Sequence, residues 1–119
     1  MQWKNYNREQ IAEACQRWGP ILDHWLANTD DGRGKPIEGP SLLWAIAGNE
    51  STFGQNCKPR YEPAYDKGGR YFDSALYAQF GVDSAYSYGP WQVMLTNAPG
   101  FSPQELANDL EKAIAATVG

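Results

Sequence analysis

The sequence predicts one mainly helical domain with at most a small β-hairpin within residues 55–90. Three observations predict it. Apolar residues recur at helical spacing in several segments. Helix start and stop signals flank those segments. The long stretch from Ser51 to about Arg70 follows neither a helical nor a strand period. At 119 residues, 42% hydrophobic and 20% charged, the chain suits one globular domain with one modest core.

The elements follow in order. Asn7 and Gln10 have capping-box spacing and start a helix near Arg8. Ile11, Cys15, Trp18, Leu22 and Trp25 then form its apolar row, and Gly19-Pro20 is expected to kink or split it. Residues 28–40, "NTDDGRGKPIEGP", read as a polar loop rich in Gly and Pro. Residues 41–50, "SLLWAIAGNE", are apolar nearly all round, as in a buried helix. Residues 72–81, "FDSALYAQFG", read as a short helix capped by Asp73 and stopped by Gly81. In "GPWQVML", 89–95, Pro90 stands where a first helical turn tolerates it. "SPQE", 102–105, is a capping box, and Leu106, Leu110, Ala113, Ile114 and Thr117 mark the inner face of one last helix.

Composition narrows the function. A net charge of -4 and a sequence pI of about 4.8 argue against nucleic acid, which needs a basic face. They offer no attraction to anionic membranes or cell walls either. No apolar run approaches the ~20 residues that span a bilayer. The opening "MQWKNYN" lacks the apolar run of a signal peptide. The expectation is a protein that stays in the cytoplasm, leaves by another route, or belongs to something larger. Cys15 and Cys57 allow one pairing only, and a disulfide and two buried thiols both stay open. The lone His24 cannot complete a zinc site with them. The 28–40 loop spaces Gly32 and Glu38 as a calcium loop does, but Ala27 then falls at the first ligand position. No metal and no cofactor are expected. Five Trp, seven Tyr and four Phe are more than a small core needs, so some are candidates for a cleft that stacks on flat ligands or sugar faces.

Glu50 is the residue that calls for a reason. It shares a helical stripe with Leu43, Ile46 and Ala47, and it ends the helix where the macrodipole disfavours negative charge. Desolvation and the dipole would both raise its pKa. A carboxyl kept protonated near neutral pH can give its proton to a leaving oxygen. The alternative is a side chain turned outward at a frayed helix end.

"AIAGNESTFG", 45–54, resembles the segment around the catalytic acid of the lytic transglycosylase, goose-type lysozyme and phage muramidase group, where a buried helix ends in Glu-Ser. "SYGPWQVM", 87–94, resembles that group's Gly-x-x-Gln-x-Met stretch, and "RYEPAYD", 60–66, is similar to a Phe-Glu-Pro-His stretch in some phage muramidases. The resemblance covers roughly residues 8–119. It implies a lysozyme-like α+β fold and cleavage of peptidoglycan between N-acetylmuramic acid and N-acetylglucosamine, with Glu50 as general acid. It makes Ser51 and Gln92 hydrogen-bonding cleft residues. Tyr88 and Trp91 become candidates to stack on sugar rings, with a plain core role as the alternative for Trp91 and Met94, and Tyr86 or Tyr88 is expected to face the cleft. A second carboxylate, where one is used, falls to Glu62 or Asp66, because Asp73 is better explained as a cap and Asp83 as a turn residue. The partner expected is peptidoglycan or a chitooligosaccharide.

The group's domains continue with further helices and an Ala-Tyr-Asn-x-Gly motif that this sequence lacks. The single 1–119 domain is therefore expected to miss those helices. Leu106, Leu110, Ile114 and Val118 are expected to form an exposed ridge, covered by a homodimer or a complementing chain. An inactive glycan-binding module, or a structural piece of a larger assembly, is the competing reading.

Overall fold

The computed structural model describes residues 3–26 and 39–118. Most of the polar stretch at 28–40 lies outside them, as do the side chains of residues 23–26, which include His24 and Trp25. The described chain is mainly helical with one small antiparallel sheet, as its sequence predicts.

Helix α1 (Arg8–Leu26) starts where Asn7 and Gln10 cap each other. Gln10 N donates to Asn7 Oδ1 at 2.9 Å, and Asn7 N donates to Gln10 Oε1 at 3.0 Å. Contrary to expectation, Pro20 does not split this helix. Packing against α2 (Gly39–Ser51) explains the continuity. A Cβ on Gly19 would stand 2.8 Å from Pro40 Cγ, and one on Gly39 would stand 2.2 Å from Leu22 Cβ. The two backbones meet on both sides of Pro20, and that packing offsets the hydrogen bond that a proline cannot donate. In α2, Leu43 and Ala47 are buried, while Trp44 and Ile46 are half-buried.

The sheet has three short strands rather than one hairpin: β1 (Arg60–Tyr61), β2 (Tyr86–Tyr88) and β3 (Val93–Met94), in that order and antiparallel. Arg60 pairs with Ser87, and Ser87 with Met94. Residues 89–92, read from Pro90 as a helix start, are the turn that joins β2 to β3. Gly89 (φ 78°) and Gln92 (φ 49°) are left-handed, which a helix start does not allow. A Cβ on Gly89 would lie 2.4 Å from the Leu106 carbonyl oxygen, so only glycine fits there.

Helix α3 (Ser74–Phe80) is capped by Asp73, whose Oδ1 accepts from Ala75 N and Leu76 N, and it stops at Gly81 (φ 64°). The expected last helix is two helices, α4 (Pro103–Asn108) and α5 (Leu110–Val118). Ser102 and Glu105 form the capping box of α4. Asp109 is extended and breaks the run: its N–H closes α4 on Glu105 O, and its Oδ1 caps α5 at Lys112 N.

The apolar stripe on these helices is not an exposed ridge. Leu106 and Ile114 are fully buried, and Leu110 and Val118 pack against the same core. Helix α1 packs on α5, where Arg17 Nη2 meets Glu111 Oε1 at 2.5 Å and Trp18 Nε1 donates to Glu111 Oε2, and the turn at Gly89 packs on α4 at Leu106. The stripe therefore gives no ground for a homodimer or complementing chain through the last helix. No helix among the described residues is long and apolar enough to cross a membrane.

Cys15 and Cys57 are both free and buried. Burial pushes the Cys15 thiol up to about 11, and it also raises that of Cys57. Native protein should therefore react slowly with a disulfide-exchange reagent at pH 8, and unfolded protein should release two thiols. Fast labelling of the native state would contradict this packing.

Candidate functional site

The site is built around the end of α2. Ser51 is 1% exposed. Its Oγ donates to Ala47 O at 3.0 Å and accepts from Gly54 N at 2.9 Å. Thr52, Phe53 and Gly54 follow with φ of 52°, 55° and 81°, so three successive left-handed residues turn the chain away from the helix. For non-glycine residues, and a β-branched one above all, that conformation costs roughly 1–3 kcal/mol. It is held by Phe53 N donating to Ala47 O at 3.1 Å and by Gly54 fitting against Ile11. This helix end is pinned rather than frayed, and that fixes the backbone under Glu50.

Glu50 itself is partly buried. Among the described residues its carboxylate makes no hydrogen bond or ion pair. Its carbonyl oxygen accepts from Arg60 Nη2 at 2.6 Å. A cation there complements the negative end of the helix dipole. Arg60 lies on β1 and pairs with Ser87, whose Oγ donates to Gln92 Oε1 at 2.7 Å. The sheet thus ties Glu50, Arg60, Ser87 and Gln92 into one connected unit. The Gln92 amide is used inside its own turn, since Nε2 donates to Gly89 O at 2.8 Å.

The expected stacking rings are elsewhere. Trp91 is 4% exposed and its Nε1 donates to Leu43 O at 2.9 Å, which locks the β2–β3 turn to α2. Tyr88 is 1% exposed, its hydroxyl donates to Asp83 O at 2.5 Å, and its ring lies against Trp3. Neither offers a face to a ligand, because burial spends both rings on the core. Ser51, also expected in the cleft, has its hydroxyl engaged on both sides as described. Tyr86 is the more exposed of the two tyrosines and sits 5.5 Å from the Tyr61 ring.

The two candidate second carboxylates differ. Asp66 has both oxygens engaged: Oδ2 accepts from the Tyr61 hydroxyl, and Oδ1 from Lys67 N at 2.8 Å. These bonds, that from Tyr61 foremost, hold its carboxyl below the usual carboxylate range. Glu62 is exposed, and its side chain makes no hydrogen bond or ion pair among the described residues. No three of His, Cys, Asp and Glu are gathered for a metal among the described residues.

Two features escape a reading of the sequence. One is Arg60, whose contact crosses ten residues. The other is a groove of about 580 Å³ lined by Tyr65, Tyr71, Phe72, Asp73, Thr96 and Asn97, without Glu50. The only signal for it was a cluster of aromatics in an irregular stretch, 61–72.

Comparison with protein-family models, with curated proteins and with solved structures found no match in any of the three.

Proposed function

We propose that this chain cleaves the β-1,4 bond between N-acetylmuramic acid and N-acetylglucosamine in peptidoglycan, with Glu50 as the general acid. One observation carries the reading: a partly buried glutamate whose carboxyl has no partner among the described residues, on a helix end pinned by Ser51, by the left-handed turn and by Arg60. A general acid has to reach the oxygen that it protonates, and a carboxyl not engaged elsewhere is free to do so. The resemblance of 45–54 and 87–94 to lytic transglycosylases and goose-type lysozymes supports the same reading.

In the proposed step, protonated Glu50 gives its proton to the bridging oxygen as the C1–O bond of the muramoyl sugar breaks. The muramoyl 6-hydroxyl, or a water, adds to C1 and loses its proton. In the intramolecular route that proton returns to Glu50, and no second carboxylate is needed. For the water route, both Asp66 oxygens are engaged, which makes it a poor base, and Glu62, whose side chain makes no hydrogen bond or ion pair among the described residues, is the second carboxylate left to serve. Such a substrate puts the site of action at the bacterial cell wall or periplasm.

The test is release of soluble fragments from purified peptidoglycan sacculi by the full chain. Release is expected, and sacculi that stay intact at high enzyme concentration would overturn the proposal. Arg60→Ala should lower that rate roughly 3- to 10-fold, the worth of about 1 kcal/mol at a helix terminus, and shift stability by less than that. Arg60→Lys should recover part of the loss. Unchanged rates in both would remove Arg60 from the positioning of Glu50.

A further inference from the structure

We propose that the groove between the 65–74 loop and the 96–97 turn is a subsite for the pyranose rings of a β-1,4-linked N-acetylhexosamine strand, which stack on Tyr71 and Phe72. The choice of polymer rests on the peptidoglycan reading above; the stacking site rests on its own lining.

Tyr71 is 51% exposed and Phe72 36%, side by side in the chain. Exposed apolar surface rimmed by polar residues is a feature of ligand-binding grooves. Both rings are braced. Tyr71 stands 5.3 Å from Tyr65, and Phe72 stands 5.4 Å from Tyr77. The loop beneath is folded tightly on itself: Tyr71 N donates to Ala64 O at 2.7 Å, and a Cβ on Gly69 would lie 2.3 Å from that same oxygen. A braced ring loses little freedom when a ligand arrives.

The facing wall is polar and unspent. Thr96 and Asn97 are exposed on the short turn after β3, anchored by Leu95 at 1% exposure. Neither side chain makes a hydrogen bond among the described residues. Asp73, also in the lining, uses Oδ1 to cap α3, and its Oδ2 makes no hydrogen bond among the described residues. A flat apolar floor beside hydroxyl, amide and carboxylate groups matches a sugar, with its C–H face and its ring of hydroxyls.

Charge favours a neutral strand. Asp73 is the charged residue of the lining, Lys67 sits over the Tyr77 ring, and Arg70 sits over the Tyr71 ring, so a sugar stacks on the part of Tyr71 that Arg70 leaves exposed. A phosphate-bearing ligand would meet an acid inside a chain of net charge -4. The walls also continue the sheet that reaches Glu50: Tyr65 follows β1, whose Arg60 bonds the Glu50 carbonyl, and Thr96 follows β3.

The experiment titrates chitotetraose into Glu50→Gln protein by calorimetry, then into the same chain carrying Tyr71→Ala and Phe72→Ala. The double change should weaken binding roughly tenfold or more. Melting temperature should fall only modestly, by what the contacts with Tyr65 and Tyr77 contribute, because Tyr71 and Phe72 both reach the surface. Thr96→Ala with Asn97→Ala should weaken it too. Amide shifts in the Glu50→Gln protein should cluster at 65–74 and 96–97, a readout that does not depend on the aromatic variants folding. No binding at all, equal binding in the variants, or shifts confined to other segments would each overturn the proposal. Failure here is separable from failure of the cleavage reading. Groove binding with intact sacculi would sink cleavage alone, and cleavage with groove variants that bind normally would sink the groove alone.

Discussion

Glu50→Gln should abolish most lytic activity, by roughly 10²-fold or more, the usual worth of general acid catalysis. Glutamine keeps the size and removes the transferable proton and the charge. Stability should hold or rise. The carboxylate is partly buried, stands at the negative end of α2, and has no partner among the described residues to lose. Lytic rate and thermal melting, measured on one preparation, separate chemistry from folding. Near-full activity in Glu50→Gln would remove this residue from the reaction.

Trp91→Ala should cost roughly 3–5 kcal/mol, as truncations of buried tryptophan do. In a domain of this size that lowers the melting temperature by about 10–20 °C. The cause is the lost contact between the β2–β3 turn and α2, together with the bond from Nε1 to Leu43 O. Trp91→Phe should keep most of the burial and lose about 1 kcal/mol with that hydrogen bond. A stacking role would give the opposite pattern: weaker glycan binding at an unchanged melting temperature. Denaturant unfolding of the two variants beside chitotetraose titration tells them apart.

The sequence is most legible where a side chain bonds backbone within a few residues of itself. Asn7 with Gln10, Asp73 with the first turn of α3, and Ser102 with Glu105 are all short-range bonds, and each was readable. Asp109 has the same chemistry, yet it lay hidden inside a continuous apolar stripe. Pattern favoured one helix there, and the cap broke it into two.

Where a distant segment decides, the pattern misleads. Pro20 reads as a break until α2 is seen packed on Gly19. Pro90 reads as a helix start until the Leu106 carbonyl is seen close against Gly89. The stripe through Leu106 and Ile114 is real, but nothing local reveals that the chain's own core covers it. The candidate site divides along the same line. Glu50 at a helix end, followed by Ser51, is a local feature. The Arg60 contact and the groove are not, because each joins segments brought together only by the sheet. Tyr88 and Trp91 were aromatic and adjacent to the Gln92 turn, and burial gave them to the core.

Cleavage of the muramoyl bond is read directly by mass spectrometry of the fragments that the chain releases from purified sacculi. Fragments cut after N-acetylmuramic acid are expected. A 1,6-anhydro end marks attack by the muramoyl 6-hydroxyl, and a reducible end marks attack by water. Intact glycan strands, strands cut after N-acetylglucosamine, or severed stem peptides on uncut glycan would contradict it.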